Sequence, residues 1–536
     1  MTTLKETISA GYKHIQDANL TGLAKTIGCS MENASSEIQR QMALALATKP
    51  TMLIARQQTI MYLRSKIPEL RDKWDAHFKR ISELESDISS FFKKGSSGKD
   101  MLEDDAISQI SFNHTLLKPL NHIPWMILCI TLFKIWMVPL MSFVTPILIW
   151  ILPYILLKFV YLLPISQEQY TTIIKKVFFG VSPLESDEEA ASKPITLQGV
   201  AQYCIFGFSL VQSMVQPIQN AMHLYKTDSV CYSIGSKIIE LRGIVRELRE
   251  GLGEFNGPHA KLSHGLESLP ENDIRRTFIF VHEYPHALHV VLSDVTRLEC
   301  MWRMACFSKL NPVVFKRDIF QIRDGIDLSL DGVEPVASTI QLSLHRTPHT
   351  VLTGPNGGGK SSFLRSVLQN VLLSHSYGMA PAKETFIPRF LWVASGIQLR
   401  DTPGKLSMFE TEVKFAADCI KTAKRDGPGL VLFDELFHST NPPDGIRTAN
   451  LFLKDLWNQT DLFSVVSTHV FPLIKEAPKN VMPICCPATQ MENGDITYSF
   501  GVQPGVCEVS SVHKVWERFG LSALNETPAK STQEKE

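Results

Sequence analysis

The stretch VLTGPNGGGKSS, Val351 to Ser362, constrains this chain more than any other. It fits the pattern G-x-x-x-x-G-K-[ST] with Gly354, Gly359, Lys360 and Ser361. An apolar run, Thr350 to Leu352, leads in, and a helical pattern (Phe363, Leu364, Val367, Leu368, Val371, Leu372) leads out. Strand, glycine loop and helix in that order are the setting in which such a motif holds phosphate. Glycines let backbone N–H groups converge on phosphate oxygens with no Cβ in the way, and the helix N-terminus adds its partial positive charge. Lys360 is expected to reach the β and γ phosphates, and the Ser361 hydroxyl to ligate Mg²⁺. The expected ligands are ATP and Mg²⁺, in an α/β domain.

Downstream stretches supply the partners such a loop needs. GLVLFDEL runs apolar from Leu430 to Phe433 and ends in Asp434 and Glu435, as a buried parallel strand carrying Mg²⁺–ATP chemistry would. Asp434 is expected to hold Mg²⁺, and Glu435 to activate the attacking water. LFSVVSTH is another apolar strand, and its terminal His469 can face the γ-phosphate. In SMFETE, Ser407 fits a helix N-cap, where the dipole is available to an anion.

A chain of 536 residues has room for about three or four domains. Its net charge of zero gives no global basic field, so any DNA contact must come from local patches. Ten scattered cysteines without a C-x-x-C pair suggest a reducing compartment rather than a zinc site or a disulfide framework. MTTLKETISAGYKHIQ has no apolar signal-peptide core.

Upstream of the loop, residues 1 to about 93 carry helical periodicity, followed by a polar link from Lys94 to Ala106. Ile123 to Pro164 is apolar with only Lys134 and Lys158 charged. Its length suits two membrane spans of about 20 residues each, joined near Ser142 to Pro146. Glu185 to Lys193 reads as an acidic loop, and residues 198–216 as a buried or interfacial helix rather than a third span. Ser236 to Leu252 reads as an amphipathic helix, VVLSDVTRLECMWRMACF as another, Val313 to Leu344 as strands, and Asn525 to Glu536 as a polar tail. The expected division is a helical region over 1–117, a transmembrane hairpin over 118–166, a helical, lever-like region over 167–312, the ATPase domain over 313–524 and the tail over 525–536.

Taken together, the motifs resemble the ATPase domain of the MutS family of DNA mismatch repair proteins, a branch of the ABC-type P-loop ATPases. TGPNGGGKSS is similar to the family's TGPNMGGKST, with Gly357 in place of methionine. LVLFDELFHSTNPPDG resembles its L-V-L-x-D-E-x-G-R-G-T-S-T-x-D-G run, LSMFETEV its S-T-F-x-x-E-M, and STH its A-T-H strand end. GVQPGVCEVSS resembles the P-G-V-C-x-x-S stretch. RQQTIMYL, from Arg56, is faintly similar to the start of the family's helical lever. The resemblance covers about residues 340 to 520. It implies a nucleotide site made by Gly354, Pro355, Asn356, Gly357, Gly358, Gly359, Lys360, Ser361 and Ser362, with Mg²⁺ on Ser361 and Asp434. Catalytic roles fall to Lys360, Glu435 and His469. Ser407 is implied to reach the γ-phosphate of a partner subunit in a homodimer or a heterodimer with a MutS-like chain.

This sequence also departs from the family pattern. Phe437, His438 and Ser439 stand where the family has glycine-arginine-glycine, and Ser511 and Val512 replace an aromatic-glycine pair, both in loops of subunit communication. No Phe-x-Glu precedes the phosphate loop, and little room for a helix-turn-helix remains after Gly520. Two readings remain. One is an ATPase that clamps DNA, in the cytoplasm or nucleus. The other is a membrane-anchored ATPase, with its catalytic domain on the cytosolic side, acting on a protein or membrane partner.

Overall fold

The computed structural model describes residues 17–94, 110–112, 114, 116–178, 197–255, 257, 262–267, 269, 273–330, 332–399, 406–491 and 496–509. The acidic stretch from Glu185, the Ser511–Val512 pair and the polar tail lie outside the described residues, as does most of the link after Lys94. The chain forms two compact units, each discontinuous in sequence. One comprises Met1–Lys79, Glu250–Leu262 and Ser293–Glu536; the other comprises Arg80–Arg249 and Ser263–Leu292.

The first unit holds the α/β domain. Its strands are β1 (Asn311–Phe315), β2 (Ile319–Gly325), β3 (Ser338–Ser343), β4 (His349–Thr353), β5 (Met379–Ala380), β6 (Glu384–Ile387), β7 (Trp392–Gly396), β8 (Gly429–Phe433), β9 (Leu462–Ser467), β10 (Val481–Cys485), β11 (Ala488–Gln490), β12 (Ile496–Tyr498) and β13 (Gln503–Pro504). A six-stranded sheet runs β13-β10-β4-β9-β8-β7, parallel except for β13. Every residue of β4, β7, β8 and β9 is buried, as expected of a parallel sheet covered on both faces. A second, five-stranded sheet runs β3-β2-β6-β1-β5.

The helices, in chain order, are α1 (Leu20–Ile27), α2 (Glu32–Ala43), α3 (Pro50–Lys94), α4 (Met126–Leu132), α5 (Val138–Ile155), α6 (Gln167–Phe178), α7 (Leu197–Leu252), α8 (Ile274–Glu283), α9 (Pro285–Cys306), α10 (Lys360–Tyr377), α11 (Met408–Arg425), α12 (Pro442–Trp457) and α13 (Phe471–Lys475). The helix after the glycine loop, α10, touches β8 of the large sheet and β2 and β5 of the small one. It is buried along nearly its whole length, and several of its polar residues find partners inside the protein. Gln369 Nε2 donates to Ala18 O at 3.0 Å, and Arg56 in α3 donates to Ser376 O at 2.6 Å. The N-terminal helices therefore read the position of α10 directly. Further along, the backbone amides of Ser30 and Met31 donate to buried Glu299 of α9 at 2.6 and 3.0 Å, and Trp74 packs on Trp302 at 4.8 Å.

In the second unit the turn expected near Ser142 to Pro146 is absent. The backbone is helical without a break from Met126 to Val160, through α4, a π segment at Phe133–Met137, α5 and a second π segment at Leu156–Val160. Proline removes a helix hydrogen bond and crowds the carbonyl four residues back. The two π segments flank the helix that carries Pro139, Pro146 and Pro153. Most of this helix is open to the surroundings: only 11% of the Met126–Thr145 window, of mean hydropathy 2.1, is buried. Residues 198–216 and 236–252, expected as separate helices, are parts of the single helix α7. Apolar residues of its first half, Ile205, Phe208 and Val211 among them, are exposed rather than buried.

Candidate functional site

The parallel strands β4, β8 and β9 end level with one another. In register, Leu352 of β4 lies opposite Ser467 of β9, and Phe433 of β8 opposite Val466. The next residues along, the glycine loop and the Asp434–Glu435 pair, therefore meet at one carboxyl-end edge, where open α/β sheets bind their ligands. The strand order places β9 between the loop strand and the acidic strand, so its end can touch both.

Within the loop, Gly354 has φ 141, Gly357 φ 80 and Gly359 φ 100, all in the region that favours glycine. A Cβ on Gly354 would sit 2.8 Å from Cys486 O, so the loop lies against the end of β10. At Gly357 nothing lies within 4 Å of the same position, which leaves the cradle open on that side. Gly359 is the N-cap of α10 and offers no side chain to the first amides of the helix. Lys360 is 5% exposed, and its Nζ donates to Gly354 O at 3.0 Å, Pro355 O at 3.2 Å and Asn356 Oδ1 at 3.3 Å. Burial pushes the Lys360 pKa down, and nearby Glu435, with Oε1 4.0 Å away, opposes that shift. The Ser362 hydroxyl accepts from Arg365 at 3.4 Å.

Ser361 Oγ donates to Asp434 Oδ2, so the loop hydroxyl and the first acid of the pair are already in contact. Ser467 Oγ donates to Asp434 Oδ1 and accepts from Glu435 N at 2.8 Å, bracing both acids from the end of β9. Glu435 has φ 51, an uncommon conformation for a side-chain-bearing residue, which the Ser467 bond helps hold. His469 Nε2 lies 3.4 Å from Glu435 Oε1. That contact holds the Glu435 carboxyl below the usual carboxylate range, against the opposing effect of burial. The structure thus brings Gly354 through Ser361, Asp434, Glu435 and His469 to one place.

Ser407 sits apart from that cluster in its contacts. It N-caps α11 in a capping box with Glu410, with Glu410 N to Ser407 Oγ at 3.2 Å and Ser407 N to Glu410 Oε2 at 2.8 Å. The side chain is exposed at the helix tip.

Some site residues were missed in the sequence. Ser467 was quoted in its strand but given no role, because only the β8–β9 register places it beside Asp434. Glu412 of α11, 1% exposed, accepts from Ser439 Oγ at 2.6 Å and lies 3.1 Å from His438 Nδ1. Burial raises its pKa. His438 Nδ1 also lies 2.9 Å from Glu435 O, so this group ties α11 to the loop behind the acids. Phe437 keeps a left-handed φ of 49 where the family pattern has glycine, and it is 2% exposed. Its ring packs on Phe433 at 5.9 Å, Phe452 at 6.0 Å and Phe409 at 6.3 Å. The backbone strain costs roughly 1–2 kcal/mol, and burying the ring offsets it by about 1.5–3 kcal/mol.

Residues 350–530 match the model of MutS domain V. The chain is 24% identical over 364 residues to DNA mismatch repair protein MutS of Leuconostoc mesenteroides, covering 64% of this chain and 40% of that protein. It is 25% identical over 240 residues to DNA mismatch repair protein spellchecker 1 of Drosophila melanogaster, covering 42% and 26%. It is 32% identical over 175 residues to the mitochondrial DNA mismatch repair protein MSH1 of Arabidopsis thaliana, covering 32% and 15%. The chain therefore spans well under half the length of each of these relatives.

Proposed function

This chain belongs to the MutS family through its domain V, and from that premise we propose that it binds and hydrolyses ATP with Mg²⁺ and couples the cycle to DNA. The observation that carries the reading is the meeting of Ser361, Asp434, Ser467 and Glu435 at one sheet edge beside the glycine loop. The residues present fit the ligands. Lys360 Nζ rests on three oxygens of its own loop, contacts that phosphate oxygens can replace. Among the described residues no group of three or more His, Cys, Asp or Glu could cage a metal alone. That suits Mg²⁺ held by Ser361 and Asp434 with phosphate oxygens and water. Bound there, the ion would neutralise charge on the β and γ phosphates.

The steps assigned to the chain follow from these positions. Loop amides and Lys360 hold the phosphates and balance charge as the γ-phosphoryl leaves. Glu435, kept ionised by His469, takes the proton of the attacking water, and the terminal bridging oxygen departs with ADP. His469 stands beside the carboxylate and lines the γ-phosphate. Ser407 completes the site of a second subunit, presenting a capped helix N-terminus to the γ-phosphate. Mixing Ser407→Ala with Lys360→Ala subunits tests this sharing. Partial recovery of turnover is expected, since one composite site regains both groups, whereas no recovery and a rate per subunit independent of concentration would remove it. DNA coupling is tested by duplex and junction binding across salt concentrations, with a steep negative slope expected.

A second reading is favoured by one observation, the exposed apolar helix from Met126 to Val160. In it the same ATPase is anchored to a membrane, with the catalytic domain on the cytosolic side, and works on a protein or membrane partner. Carbonate extraction separates the readings, since a purely soluble clamp is released.

A further inference from the structure

Both apolar stretches of the second unit meet the folded core at one short helix. At the head of the helix that begins at Met126, Trp125 N donates to Asp273 Oδ2 at 3.2 Å. Where the first half of α7 gives way to its charged half, Asp228 holds Arg275 through two 2.7 Å bonds. Asp273 is the N-cap of α8, and Arg275 lies in its first turn. One apolar stretch therefore starts, and the other ends, at the same helix tip.

We propose that the chain crosses a lipid bilayer twice, outward from Met126 and back through the first half of α7, so that α6 and the acidic stretch after it lie on the side opposite the ATPase. This deepens the anchored reading and rests on it. Length supports the outward crossing. Between Lys134 and Lys158 there is no charge, and a helix over 135–157 is about 35 Å long, against a hydrocarbon thickness of about 30 Å. Trp136 stands near one end of that segment and Tyr154 near the other, the aromatic types of bilayer interfaces. At the outer end Lys158 Nζ turns back to the Tyr154 hydroxyl at 3.0 Å. Exposed apolar side chains face all sides of this helix, as Leu132, Val138, Phe143, Ile147 and Ile151 show. A helix lying in the interface plane keeps them to one face.

The return crossing follows from chain continuity. Residues on both sides of the apolar stretches fold together in the first unit: Ser30 and Met31 bind Glu299, and Arg56 binds Ser376. They share one side of any membrane, so the number of crossings between them is even. With no turn inside Met126–Val160, the second crossing must come later. Residues 197–225 of α7 carry no Lys, Arg, Asp or Glu and measure about 44 Å as helix. Ile205, Phe208, Val211, Val215 and Met222 are exposed along them. Gln212, Gln216 and Gln219 fall on one side of that helix, the spacing of a polar stripe turned towards another helix.

The test is translation of the full chain with endoplasmic-reticulum microsomes. The sequence already carries N-x-[ST] glycan acceptors at Asn19, Asn33, Asn113, Asn458 and Asn525, all outside the segment between the crossings. Ala190→Asn creates a new one within that segment, and Leu184→Asn creates a second, farther from α7. Carbonate-resistant protein is expected, with no glycan on the wild type and one glycan on each variant. Glycans on the wild type with none added by either substitution would support the same two crossings in reverse orientation. Release by carbonate would defeat the anchored reading itself. Carbonate-resistant protein with no glycan on the wild type or on either variant would overturn the two crossings and leave a one-sided anchor standing.

Discussion

Replacing Ser467 with alanine isolates the contribution of the strand that lies between the loop and the acids. Ser467 is fully buried, donates to Asp434 and accepts from Glu435 N at 2.8 Å. Ser467→Ala removes a hydrogen bond to an ionised group, which contributes roughly 1.5–3 kcal/mol, and leaves a partly buried N–H unpaired at a cost of about 1–3 kcal/mol. The amide belongs to Glu435, whose left-handed φ of 51 depends on its surroundings. If about 2.7 kcal/mol of this loss is felt only in the transition state, kcat for ATP hydrolysis falls by ~100-fold. KM should change little, because Lys360 and the loop amides are untouched. Steady-state phosphate release gives both constants, and a melting curve shows whether the variant is folded. A folded variant with kcat within about two-fold of wild type would refute the bracing role, and an unchanged kcat with a raised KM would assign Ser467 to binding instead.

Two further predictions concern the frame of the site. His375 Nδ1 donates to Val371 O at 2.9 Å while Nε2 accepts from Phe390 N at 3.0 Å, an arrangement that only the neutral ring satisfies. Burial pulls its pKa from 6.5 down to about 4, so its stabilising effect is complete above the unfolded value and is lost as pH falls from about 6.5 towards 4. Roughly 3 kcal/mol should disappear over that range, His375→Gln should flatten this part of the profile, and an unchanged slope of urea stability against pH would count against the assignment. Phe437→Gly should relieve the left-handed backbone yet lower stability by about 2–4 kcal/mol, because the aromatic cluster loses its centre; an equal or raised urea midpoint would show that strain outweighs packing.

How far the sequence revealed this protein depends on the range of the interaction. The glycine loop was legible because Gly354, Gly359, Lys360 and Ser361 act within a few residues of one another, and the capping box at Ser407 and Glu410 is equally local. Asp434 and Glu435 were legible as the end of an apolar strand. Ser467 was not, since β9 enters the sheet between β4 and β8 out of sequence order and register alone puts it beside Asp434. The tie from Glu412 to Ser439 and His438 was hidden for the same reason. In the apolar region, length suggested two spans joined near Ser142 to Pro146, whereas the backbone stays helical through α5 and the π segments on either side of it. The glutamines of α7 masked how much of its apolar surface faces outward. Nor could periodicity show that α1, α2 and α3 as far as Lys79 join the same compact unit as the strands, a pairing made by contacts such as Arg56 with Ser376 over 320 residues of chain.

The central claim is that this site hydrolyses ATP with Glu435 as the base, and the most direct measurement follows ATP binding and phosphate release together in wild type and Glu435→Ala. Wild type should bind Mg²⁺–ATP and release phosphate repeatedly, while Glu435→Ala should bind ATP about as tightly and release phosphate more slowly by a factor of about 10²–10⁴. A Glu435→Ala protein that turns over at the wild-type rate, or a folded wild type that neither binds nor hydrolyses Mg²⁺–ATP, would contradict it.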